Sequence, residues 1–249
     1  MDWDRGAFPG VEDDAVGETA GQTGQLVSRR QVLAGAGGAA IVGVAFGSAS
    51  DAAAEPTGTV AALGKSRVGE TATRLVGVID QKDGDFVAYG FYTLIAGLSP
   101  AELFSAQTDP VSESKAFFTF HGTASLVQRT VVGDVFTLAV AGSLAHYYQS
   151  SPASSFDNPD SFASGVKIGA SKFALQDVLI QLSPTSGLAT LEGPVTQVSS
   201  RRFRFGGRTI QFGHAGLKTQ LTANGLGSAR SLTPPTVRLS LAGTQVVAS

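Results

Sequence analysis

The chain of 249 residues has no cysteine, which excludes disulfides, thiolate catalysis and cysteine-ligated metals. Histidine is scarce as well. His121, His146 and His214 fall in no ligand spacing such as His-x-x-x-His, so neither a metal site nor any cofactor is expected. Charged residues make up only 15% of the chain and the net charge is −2. No basic stripe is large enough for a nucleic-acid partner. The chain also lacks a Gly-x-Ser-x-Gly elbow, a phosphate loop and a dinucleotide fingerprint. Its longest apolar run, from Val32 to Gly47, is shorter than the ~20 residues a spanning helix needs. No stable membrane span is therefore expected.

What is abundant is glycine, with 31 residues, together with Val, Thr and Phe. That mixture favours strands joined by tight turns over a helical bundle. The acidic residues cluster early: Asp2, Asp4, Glu12, Asp13, Asp14 and Glu18 stand against Arg5 alone in the first 27. Residues 1–27 have little to bury and read as a disordered acidic leader.

The segment Ser28-Arg29-Arg30-Gln31-Val32-Leu33 resembles the twin-arginine export signal, with Arg29 and Arg30 as its paired arginines. A Gly/Ala-rich apolar stretch follows, and then Ser48-Ala49-Ser50-Asp51-Ala52-Ala53-Ala54-Glu55. Small residues at Ala52 and Ala54 suit a signal peptidase, placing cleavage after Ala54. The resemblance implies a twin-arginine translocase as partner and export to the periplasm, cell surface or medium. The long acidic stretch before the arginines departs from the short positive region usual in such signals. The alternative is a retained anchor. Cleavage would leave 15 basic and 13 acidic residues, a nearly neutral remainder.

Residues 55–70 lack periodicity and read as a linker. From about Thr71 to Ser249 the pattern has period two, which predicts strands near 72–80, 86–96, 115–131, 134–149, 165–182, 187–198, 201–206, 208–213, 217–225 and 236–248. Asp83-Gly84, Gly133-Asp134 and Gly206-Gly207 supply turns, the last of the primed hairpin type. A short helical turn is expected at Pro100–Phe104. One face of each long strand is apolar, as in Phe136, Leu138, Val140, Gly142 and Leu144. In the glycine hairpin Phe203, Phe205, Ile210 and Phe212 share a face. The reading is an all-β domain, an antiparallel up-and-down β-barrel, with a two-sheet sandwich as the alternative. Gly122 and Gly142 suit the bends of a closed wall.

Across residues 115–148 the pattern Phe118-x-Phe120-x-Gly122, then Gly133-Asp134-x-Phe136, then Gly142, is similar to the barrel of allene oxide cyclases and plant dirigent proteins. The resemblance implies binding of an apolar small molecule, in some members with cyclisation. It carries over no functional residues.

Three side chains stand out. His146 shares the apolar face of Phe136, Leu138, Val140 and Leu144, with Tyr148 following on that face as a candidate ligand contact. Asp177 falls among Phe173, Leu175 and Leu179, where an unpaired carboxylate is costly. A His146–Asp177 couple in one cavity would make a catalytic base and its orienter. The bland alternative buries the opposite face, Ala174, Val178, Ile180 and Leu182, and leaves Asp177 wet. His121 shares a face with Thr119 and Thr123 and is expected in solvent; His214 lies at a glycine-flanked turn. The long loop 150–164 has the length of a lid, but too few carboxylates at calcium-loop spacing to hold calcium. Three functions remain open: a non-enzymatic exported barrel holding a small apolar ligand, an isomerase or cyclase acting in the barrel mouth, and a cell-surface interaction module.

Overall fold

Alternation of apolar and polar residues asks for one common interior, and unpaired edges ask for a second partner for every strand. The computed structural model, which describes residues 61–106, 111–232 and 235–249, meets that demand by closing the sheet on itself. The acidic residues 1–27, Arg29, Arg30 and Ala54, where cleavage is expected, lie outside the described residues.

The described strands are β1 (Ala61–Leu63), β2 (Thr71–Lys82), β3 (Asp85–Ile95), β4 (Phe118–Val132), β5 (Val135–Tyr148), β6 (Val166–Ser183), β7 (Ser186–Ser200), β8 (Arg202–Phe205), β9 (Arg208–Phe212), β10 (Lys218–Leu232) and β11 (Pro235–Val247). Eight of them form a closed barrel in the order β2-β3-β4-β5-β6-β7-β10-β11, with β11 returning to pair with β2. Every neighbouring pair is antiparallel. Closure removes the sandwich alternative. The strands follow one another around the wall except between β7 and β10, where the β8–β9 hairpin intervenes.

Turn chemistry fixes the register. Asp83 has φ 56° at the β2–β3 turn and Gly133 has φ 58° at the β4–β5 turn. Gly206 and Gly207, at φ 55° and 78°, give the β8–β9 hairpin its primed turn. The interior is crowded enough that some wall positions exclude a side chain. A Cβ on Gly90 would lie 2.2 Å from the Val76 carbonyl oxygen and 2.7 Å from the Phe120 ring; on Gly142 it would lie 2.2 Å from the Thr123 carbonyl oxygen.

The two ends of the barrel differ. At one end are the tight β2–β3, β4–β5 and β6–β7 turns. The other end is plugged by a small sheet of order β1-β9-β8, in which β1 pairs in parallel with β9. The aromatic face foreseen for the glycine hairpin is this plug. The Phe212 ring packs 4.9 Å from His146 and 5.6 Å from Tyr92, while Phe203 and Phe205 pack on Tyr148 and Phe118. β1 corrects the reading of residues 55–70 as linker: three residues are too few to show periodicity, and their partner lies far along the chain. β10 also runs to Leu232 rather than 225.

The long connections fold back over the outer face of β3 and β4. Helix α1 (Pro100–Leu103) is tied to β9 by an ion pair between Glu102 and Arg208. Phe104, Phe156 and Phe162 cover the outward rings of Tyr89 and Phe91. This second apolar layer overturns the expectation that His121 is solvated. The 3₁₀ turn at Pro159–Ala163 lies over its face, Thr119 donates to the Phe162 carbonyl at 2.7 Å, and His121 stacks near Tyr89. Burial lowers the His121 pKa, while Asp160, 3.9 Å away, works to raise it.

Candidate functional site

The inward side chains of β5, β6, β7, β10 and β11 do not fill the barrel completely. Between Leu138, Val140, Leu175, Leu191, Ala223 and Leu239 they leave an apolar cavity of about 110 Å³. Its inner end is closed by buried Leu75, Phe120 and Gln245. Towards the hairpin turns it is ringed by half-buried Gln81, Phe86, Asp177, Leu179 and Val237.

Asp177 therefore faces inward. The opposite face, offered as the buried one in the bland alternative, is on the outside: Val178 is 41% exposed, Ile180 43% and Leu182 62%. The reason is register, because Asp177 pairs with inward Leu138 on β5 and inward Leu191 on β7. Its Oδ1 atom is shielded from solvent and has no hydrogen-bond partner. Burial pushes its carboxyl up from the ordinary 3.8 to about 6, and a hydrogen bond from the Thr190 backbone only partly offsets this. Among the described residues, Asp177 is the single ionisable side chain lining the cavity.

His146 faces inward too, but at another level. It is 2% exposed and lines a separate nook of about 20 Å³ under the plug, with Thr73, Ser171, Gln197, Thr219 and Gln245. Both ring nitrogens are engaged: Nδ1 lies 2.6 Å from the Tyr92 hydroxyl and Nε2 2.8 Å from Ser171 Oγ. Burial raises the Tyr92 pKa, so its hydroxyl keeps its proton and donates to Nδ1. We therefore assign the His146 proton to Nε2, which donates to Ser171. Burial, with Lys167 adding repulsion, depresses the His146 pKa to about 3.

The couple between His146 and Asp177 does not form. His146 pairs with Gly169 and Asp177 with Leu138, so eight residues of β5 separate their levels, a span of ~26 Å at ~3.3 Å per residue. Nor does Tyr148 line the cavity. Its ring belongs to the plug, among Phe117, Phe118, Phe203 and Phe205.

The chain matches no family model, no curated protein and no solved structure. Its functional reading rests on the geometry of the barrel.

Sequence reasoning missed two polar residues of the cavity, Gln81 and Gln245, although both follow the inward parity of their strands. Gln245 accepts from Thr73 Oγ1 at 3.1 Å, while its Nε2 has no partner. It lines both spaces, and the nook is of the size that holds one water. Also missed was a polar cluster outside the barrel. Arg238 grips Asp80 through Nε and Nη2 at 2.7 and 2.9 Å, and Tyr89 donates to the same carboxylate at 2.5 Å. Burial would raise the Asp80 pKa, but the Arg238 and Tyr89 hydrogen bonds outweigh it and hold it low. With its charges matched, this cluster ties β11, β2 and β3 together. Among the described residues no three His, Asp or Glu side chains gather as metal ligands.

Proposed function

We propose that this protein is an exported binding protein that holds one small apolar molecule inside its barrel. The observation that carries the reading is the cavity: it lies within a closed wall, aliphatic and aromatic side chains line it almost throughout, and polar groups are few. That is the usual composition of a small-molecule site, though most such sites are larger. A cavity of about 150 Å³ lined by Leu, Ile and Phe holds benzene, so this one suits a single small ring or a short branched chain. Export is supported by the paired Arg29 and Arg30 with the small residues before Glu55.

The isomerase reading loses support, because its proposed base and orienter stand at different levels of the barrel. His146, with both nitrogens engaged under the plug, supports the fold.

Cyclopentane added to the full-length chain should shift the NMR methyl signals of Leu138, Leu175 and Leu191 in a saturable way. Ala223→Leu, which places an isobutyl group in the cavity, should abolish the shifts while the barrel stays folded. Unshifted methyls in the wild type, or equal shifts in the variant, would refute the reading.

A further inference from the structure

An aliphatic cavity needs no carboxylate to hold a hydrocarbon, and Asp177 is costly there. Replacing it by Asn or Leu would leave the alternation of β6 intact, so the strand itself does not call for a charge. Three observations limit what the carboxylate meets. Its Oδ1 is shielded from solvent and unpartnered. The lining holds no Lys, Arg or His among the described residues, so no neighbour in the wall neutralises it. The remaining lining is aliphatic and aromatic apart from Gln81 and Gln245. An ionised acceptor in such a place is stabilised most by a bound group that brings both a donor and a positive charge. It repels a carboxylate ligand for the same reason.

We propose that the cavity takes a small aliphatic or alicyclic amine, its ammonium donating to Asp177 Oδ1 and its hydrocarbon body packed among Leu138, Leu175 and Leu191. This deepens the reading of the barrel as a small-molecule site and rests on it. The cavity, smaller than the ~150 Å³ that holds benzene, limits the buried hydrocarbon body to about five non-hydrogen atoms. The amine end lies towards the hairpin turns, where the half-buried Asp177 stands, and the apolar end points inward to Leu75 and Phe120.

The test uses the full-length chain at pH 7.5 with three probes of one shape: cyclopentylamine, cyclopentanol and cyclopentane. Affinities are read from the methyl signals of Leu138, Leu175 and Leu191, so binding to surface carboxylates does not register. The wild type should bind cyclopentylamine about tenfold more tightly than cyclopentanol, because a hydrogen bond between charged groups is stronger than one to a neutral hydroxyl. In Asp177→Asn the preference should vanish while cyclopentanol and cyclopentane still bind. Asp177→Leu gives the same comparison on an apolar background. Equal binding of amine and alcohol by the wild type would overturn the proposal, as would a preference that survives both substitutions. Binding of cyclopentane without the amine overturns this proposal and leaves the binding function standing. If no probe binds, both are lost.

Discussion

Asp177 and His146 make opposite contributions to the pH dependence of stability, and Asp177→Asn separates them. Asp177 loses its proton near 3.8 in the unfolded chain and near 6 in the folded one. Between those values the folded state carries the extra proton, so this group makes stability fall as pH rises. His146 is the reverse. Its folded pKa of about 3 lies below the ordinary 6.5, so the unfolded state carries the extra proton and stability rises with pH across that window. Each proton is worth about 1.4 kcal/mol per pH unit, so from pH 4 to 6 the two slopes nearly cancel. Asp177→Asn removes one of them. The variant should match the wild type near pH 4 and draw ahead by ~2–3 kcal/mol by pH 7, towards the lower figure because the half-buried carboxyl keeps some solvent screening. Urea denaturation at pH 4, 5, 6 and 7, with the urea slope unchanged, reads the difference directly, since every other titrating group is common to both proteins. Parallel stability curves would show that Asp177 ionises as freely folded as unfolded, and the argument from its burial would fall.

Three further outcomes follow from the plug and the N-terminal segment. Phe212→Ala removes the ring that seals His146 and Tyr92 and should cost ~3–5 kcal/mol in chemical denaturation; a loss below 1 kcal/mol would mean the plug contributes little. Replacing both Arg29 and Arg30 by Lys should hold the protein in the cytoplasm, as read by fractionation, because lysine lacks the planar guanidinium fork. Any exported wild-type protein should begin at or near Glu55 on N-terminal sequencing, and unchanged export of the double variant would refute the routing.

Strand parity and turn chemistry were legible because each is written locally. Leu138, Val140 and Leu144 announce an inward face within seven residues, and Gly206-Gly207 announces its turn. Level along the barrel is not local. It depends on which residues of β5 and β6 pair, and that is how two inward side chains, His146 and Asp177, come to stand in different spaces. The cover over His121 was hidden for a related reason: alternation says which side of a strand a residue takes, but not what a distant loop later lays over it. The parallel pairing of Ala61–Leu63 with β9 left no trace in a three-residue segment.

The seam between β2 and β11 has a kinetic consequence. The hydrogen bond from Thr73 to Gln245 joins residues 172 positions apart, at the inner end of the cavity. Closing so long a loop is entropically slow and gains little until the strands flanking it are in place. An open sheet of the same strands has the same alternating faces but encloses no space. The cavity therefore comes into being only with the final zipping of the ring. A molecule held in that cavity would select the closed ring alone, so its rate of binding during refolding would be a clock for ring closure.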